Sequence, residues 1–340
     1  MNIYDISKKA GVSIATISRV INGSDKVSEK TRERVLQVIE ESNYTPNAFA
    51  RGLGLNTMKT VGILCADSSD AYLAQAVYYI EKNLRKNGYD TLLVCTGYNL
   101  KDKQDSINLL LSKRVDGIVL VGSNYIEALD EDNDYIRDAA KKIPLMILNG
   151  LLEASNIYSI VCDEYNAIYR ITEAFINNGH TNLIYMYNSK TYSGMKKLSG
   201  FKDALIANSI PIRDERIICT HKNIQATYKS LTKLISKEVL IDGIITSEDI
   251  LAIGALKACK KHNLSVPDKV FISGFNNSEL TECCDPELTS IDNSLEAICN
   301  HCVTTLMGLF ANEDMPKTTV FSAKIIERGT TVLMSIPHIS

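Results

Sequence analysis

Apolar positions follow one period up to about residue 60 and a different one after it. In the first stretch they recur every three or four residues. Ile6 and Ala10 sit four apart and share one face of a first helix. Gly11 ends that helix, because a tight turn needs the left-handed conformation that glycine adopts readily. Ser13 then stands where its hydroxyl can cap a second helix. On that helix Ile17, Val20 and Ile21 face inward, leaving Ile14, Ala15, Thr16, Ser18, Arg19 and Asn22 for other surfaces. Ser28 opens a third helix as its cap. Val35, Val38 and Ile39 turn that helix toward the first two, and Thr45-Pro46 ends it. Three short helices with a slim second one make an all-α helix-turn-helix unit. Its exposed residues are the small and hydrogen-bonding types that fit a major groove.

From Thr60 short apolar runs alternate with amphipathic segments. Strands are expected at 60–65, 91–95, 117–121 and 144–148, with helices at 74–87, 104–113 and 136–142 between them. A second series follows, with helices at 165–178, 198–208, 226–236 and 252–262 and strands at 183–186, 217–219, 243–246 and 270–274. Repeated strand–helix units imply parallel sheets covered on both faces, and two series in tandem imply two similar lobes.

The residues from Ala10 to Leu53 closely resemble the DNA-binding headpiece of the lac repressor family (LacI/GalR-type regulators). The matching motifs are Ala10-Gly11-Val12-Ser13, Thr16-Ile17-Ser18-Arg19-Val20-Ile21-Asn22-Gly23, Val27-Ser28 and Thr31-Arg32-Glu33-Arg34-Val35. Tyr44-Thr45-Pro46-Asn47 and Ala50-Arg51-Gly52-Leu53 continue the series. Arg114-Val115-Asp116-Gly117-Ile118, Gly179-His180 and Pro286-Glu287-Leu288-Thr289-Ser290-Ile291 extend the likeness through the chain. The resemblance implies a headpiece over 1–46, a hinge helix and linker over 47–58, and an effector-binding and dimerisation body over 59–340. That body would look like a periplasmic binding protein: two doubly wound parallel-sheet lobes joined by three crossings. The crossings are expected near Val161–Asp163, Ser290–Asn293 and Val320–Lys324. The first lobe would take about 59–161 plus 292–321, and the second about 162–291 plus 322–340.

The resemblance also implies partners. Two-fold related headpieces, in a homodimer or higher assembly, would read a pseudo-palindromic operator in double-stranded DNA. Thr16 and Arg19 are expected to touch bases, with Ser13 and Ser18 beside them and Ile14 and Ala15 making apolar contacts. Tyr4, Asn22, Thr31 and Asn47 are the candidates for positioning phosphates. Leu53 stands where the family's hinge helix wedges a leucine between bases, which partly unstacks a step and kinks the duplex. Gly52 replaces the commoner serine there. Seven residues alone do not hold a helix in water, so the hinge should order only when something packs on it; a plain linker is the alternative.

Ligands of open α/β sheets bind at the carboxyl ends of the strands. The loops expected there are 67–73, 149–150, 189–197, 247–249 and 276–277, rich in polar groups and holding Tyr72 as a stacking face. Tyr72, Asn149, Lys197, Glu248 and Asn276 are the effector candidates. Several depart from the family's pattern for common sugars. Lys197 stands for an arginine, Glu248-Asp249 for Asn-Asp, Asn149 for an aspartate, and Gly274-Phe275-Asn276-Asn277 for a motif carrying Asp. Lysine lacks the planar fork of arginine, and asparagine donates where aspartate only accepts. The effector is therefore expected to be a sugar or sugar-like molecule whose donor pattern differs from that of a common hexose. A purine or a partner protein are the other options.

Composition narrows the function classes. The net charge is -3 overall, but residues 1–59 carry nine lysines and arginines against six acidic residues, +3, which leaves -6 for the rest. A basic end on an acidic body is the footprint of phosphate contact. No apolar run approaches the ~18 residues of a membrane span. The polar start Met1-Asn2-Ile3-Tyr4-Asp5 does not resemble a secretion signal, so a cytoplasmic location is expected and a periplasmic sugar-transport protein disfavoured. Nine scattered cysteines, an odd number, favour reduced thiols. Cys299-Asn300-His301-Cys302 has a metal-like gap but no second pair, so a buried helix face is expected there. No dinucleotide or phosphate loop and no paired histidine motif is present, which argues against an enzyme; no cofactor is expected.

Overall fold

The computed structural model describes residues 2–21, 24–44 and 57–333. The expected hinge helix, the Thr45-Pro46 stop, and Asn22, Asn47 and Leu53 lie outside the described residues.

The headpiece is three helices: α1 (Ile3–Ala10), α2 (Ile14–Ile21) and α3 (Glu29–Glu41). Asn2 caps α1 through a reciprocal bond with Asp5, and Gly11 closes it in the left-handed region at φ 61°. The Ser13 hydroxyl accepts from the Thr16 amide at 3.2 Å and starts α2. Ile6, Ala10, Ile17, Val20 and Val35 form the small core that fixes the angle between the helices. Ser28 sits at the start of α3 but caps no backbone amide: its hydroxyl pairs with that of Thr31 at 2.9 Å instead.

Asp116 anchors the start of the body by accepting from the amides of Met58 (3.1 Å) and Thr60 (2.9 Å). The body runs β1 (Thr60–Cys65), α4 (Ala71–Lys86), β2 (Asp90–Cys95), α5 (Leu100–Ser112), β3 (Gly117–Val121), α6 (Asp134–Ala140), β4 (Leu145–Leu148) and β5 (Ile157–Cys162). It continues with α7 (Glu164–Asn177), β6 (Leu183–Tyr187), α8 (Tyr192–Ala207), β7 (Ile217–Cys219), α9 (Ile224–Ile235), β8 (Gly243–Thr246), α10 (Asp249–Lys261) and β9 (Phe271–Phe275). The last elements are β10 (Thr289–Asp292), α11 (Leu295–Phe310), β11 (Thr318–Phe321) and β12 (Lys324–Ile326).

Two six-stranded sheets result, in the orders β11-β5-β4-β3-β1-β2 and β12-β10-β9-β8-β6-β7. Among the described residues all pairings are parallel except the antiparallel edge pair β10–β12. Successive side chains of a strand point to opposite faces, and each sheet accordingly feeds two cores. On β3, Val119 and Val121 join Ile80, Leu84, Ile298 and Cys302 under α4 and α11, while Ile118 and Leu120 join Ile107, Leu110 and Ile136 under α5 and α6. On β6, Leu183 and Tyr185 pack under α7 and α8, and Ile184 and Met186 under α9 and α10. The chain passes between the lobes after Cys162, Asp292 and Phe321.

The seven helices expected in the body all begin earlier than their apolar periods indicate, and a capping side chain accounts for it at α4 and α8. Asp70 accepts from the amides of Tyr72 and Leu73, so α4 starts at Ala71, and Thr191 accepts from Gly194, so α8 starts at Tyr192. Tyr72 and Lys197 are therefore helical residues rather than loop residues. Cys299 and Cys302 are fully buried in the first lobe, and burial pushes the Cys299 thiol up to about 12. No helix among the described residues is long and apolar enough to cross a membrane.

Candidate nucleic-acid interface and inter-lobe cleft

On α2 the inward residues are spent on the core, which decides what the other side presents. Ser13, Ala15 and Arg19 are exposed, Ile14 is 36% exposed, and Thr16 and Ser18 are half-buried beside them. The Thr16 hydroxyl lies 2.9 Å from that of Ser13, across the first turn of the helix. Tyr4, 64% exposed, stands at the start of α1, and Thr31 at the start of α3. The backbone amides at helix starts carry a partial positive charge suited to phosphates. Arg32 is engaged within the headpiece, bonding the Ser24 carbonyl at 2.8 Å and approaching Glu29.

The second site is the cleft between the carboxyl ends of the two sheets. A cavity of about 130 Å³ is lined by all five residues expected there, Tyr72, Asn149, Lys197, Glu248 and Asn276. Their chemistry is more tied down than the sequence alone suggests. The Tyr72 hydroxyl accepts from Asn149 Nδ2 (2.5 Å) and Asn293 Nδ2 (3.1 Å), while its ring packs on the first core. Burial, with Glu164 nearby, pushes that hydroxyl well above the usual phenol range. Asn293 also donates to Asn276 at 3.2 Å, linking a lobe crossing to the cleft floor. The buried Lys197 ammonium lies 3.5 Å from Glu164, donates to the Ser247 carbonyl at 3.3 Å, and sits 3.8 Å from the centre of the Phe275 ring.

Beside Glu248, Asp249 has a structural task. It is buried and accepts from the Ser278 amide and hydroxyl and from the Ser290 hydroxyl, at 2.7, 2.8 and 2.5 Å. Burial raises its pKa to about 6 against the pull of those donors. Gly274 keeps the space open, since a Cβ there would stand 2.1 Å from Asp249 Oδ1.

Several lining residues were not singled out from the sequence. Lys222, Glu164, Asn124, Tyr98 and Ser123 face the cavity from outside the expected loops, and Thr191 lies within one of them. Lys222, Tyr98 and Asn124 follow β7, β2 and β3, and the rule that ligands meet the carboxyl ends of strands points to those loops as much as to the others. The Ser123 hydroxyl donates to Thr191 at 2.9 Å, joining the lobes across the cleft.

Residues 2–47 match the model of bacterial regulatory proteins of the lacI family, and residues 172–331 match a periplasmic binding protein-like domain. A HTH-type transcriptional regulator of Lachnoclostridium phytofermentans is 52% identical over 97% of this chain and 99% of its own. The chain belongs to the LacI family. It is a DNA-binding transcriptional regulator, not an enzyme. Its fold agrees with that of a lac repressor dimer bound to operator and an anti-inducer, with a TM-score of 0.87 at 22% identity, covering 97% of this chain and 98% of that one. A LacI-family regulator from Enterococcus faecium with bound ribose superposes with a TM-score of 0.69 at 21% identity, covering 81% of this chain and all of the other.

Proposed function

We propose that this LacI-family member is a cytoplasmic repressor that binds a pseudo-palindromic operator as a homodimer. Its operator affinity would be set by a sugar or sugar-like effector in the inter-lobe cleft. Residues 1–46 would read DNA, 47–58 would serve as hinge and linker, and 59–340 would bind effector and partner subunit. The observation that carries the reading is the exposed side of α2, where Ser13, Ile14, Ala15, Thr16 and Arg19 stand together while Ile17 and Val20 hold the helix on its core. Asn22, Asn47 and Leu53 would extend the DNA contacts beyond the described residues, with Tyr4, Ser18 and Thr31 at the flanks. A sugar effector is supported by the polar lining of the cleft and by the ribose found in a family structure. Closing of the cleft would turn the first lobes against each other, coupling the two sites by ~1–3 kcal/mol.

Selection of bound duplexes from a random pool tests the reading. A two-fold symmetric sequence should be enriched, and Arg19→Ala should weaken its binding by ~1–3 kcal/mol while relaxing base preference. An unsymmetric or unenriched pool, or unchanged preference in the variant, would contradict it.

A further inference from the structure

Lys222 precedes α9 in the second lobe. Yet its ammonium lies 2.6 Å from Asp70 of the first lobe, as well as 2.5 Å from Glu248 of its own. Burial pulls its pKa down, but Glu248 and Asp70 outweigh that and leave it above the ordinary ammonium value. The Asp70 carboxylate is doubly used: one oxygen caps α4 and the other receives Lys222. The Glu248 carboxylate also accepts from Asn188 Nδ2 at 3.0 Å.

The other ammonium in the lining, Lys197, is likewise committed, to Glu164, the Ser247 carbonyl and the Phe275 ring. Among the described residues, three lining carboxylates, Asp70, Glu164 and Glu248, thus face two ammoniums, and neither ammonium is left over for an anion. Asn149, 6% exposed, has its Oδ1 buried without a donor. The demand on that side is for hydrogen-bond donors, with Asn124 Nδ2 asking for one acceptor. An anionic ligand would add charge to an acidic site. A ligand carrying hydroxyls or an ammonium could instead take the place of Lys222 on its two carboxylates, which are acceptor-only when ionised.

We propose that Asp70 and Glu248 form the effector subsite for a donor group, and that Lys222 competes with the effector for this subsite and bolts the lobes together through it. The effector is then an amino sugar or an uncharged polyol, not a sugar phosphate or sugar acid. This rests on the cleft being the effector site.

The test uses the full chain without DNA and reads backbone amide exchange at 68–73 and 220–224. Lys222→Ala should raise exchange there several-fold, because two carboxylates then face each other unbridged. Millimolar n-butylammonium, which replaces the lost side chain, should restore the wild-type rates, while butanoate should not. The triple variant Asp70→Asn, Glu248→Gln, Lys222→Ala should ignore both probes. Should Lys222→Ala fold poorly, Lys222→Met, of similar length but with no donor, should show the same loosening, read in the same way. Wild-type exchange in the folded variant, failure of butylammonium to restore it, or equal restoration by butanoate would each overturn the proposal. None of these readings involves an operator, so failure of the regulator reading would show separately, in the duplex selection.

Discussion

Single side chains in this cleft do one of two jobs, and their partners tell which. Asp249 neighbours Glu248 in sequence but holds the β9–β10 end of the second sheet through Ser278 and Ser290. Its folded-state pKa of about 6 lies above the ~3.9 of a free aspartate. The folded chain therefore holds that proton more tightly than the unfolded one. The stability linked to it is full below pH ~4 and is lost as pH rises through 6. Asp249→Asn should remove this slope. Urea unfolding of both proteins should show the wild type losing ~2 kcal/mol more than the variant between pH 4.5 and 7. Parallel pH profiles would show that Asp249 is not the group responsible. Which positions meet in the cleft was legible in the sequence, since the five expected there line one cavity. What was not legible is how far they are already engaged. That Lys197 is spent on Glu164, and that Lys222 reaches across to Asp70, depends on neighbours more than thirty residues away in the chain.

At the scale of elements, local signals that belong to the backbone were the readable ones. Gly11, Gly88 and Gly179, at φ 61°, 75° and 88°, each stand just past the end of a helix. Helix starts were harder, because a capping side chain extends a helix past its last apolar repeat, as Asp70 and Thr191 do for α4 and α8. Long-range packing was hidden too. Helices α7 and α8 approach closely at Gly200, where a Cβ would stand 2.3 Å from the Tyr165 carbonyl oxygen. That atom is backbone and cannot swing aside, so Gly200→Ala should force the pair apart. A loss of ~1–3 kcal/mol is expected in the unfolding free energy, as for other overpacked sites. An unchanged denaturation midpoint would mean that the helices separate freely. Because Lys197 rides on α8, the same variant should loosen its approach to Glu164 on α7.

For the whole molecule, the division of labour follows charge and symmetry. The first 59 residues carry +3 and the remainder -6, so the chain should meet DNA by its headpiece and keep its body off the duplex. The two-sheet body was foreseeable from the alternating apolar runs. The three passages between its sheets, after Cys162, Asp292 and Phe321, were placed by family resemblance, since no local pattern marks a crossing. The central claim is that α2, presented twice by a paired body, grips a symmetric site. It is tested most directly by fluorescence anisotropy of a selected palindromic duplex, titrated at modest ionic strength with the full chain and with residues 57–340 alone. The full chain should bind the palindrome and prefer it strongly over one half-site, and the shortened chain should not bind. Equal binding by the two proteins, or no preference for the palindrome, would contradict it.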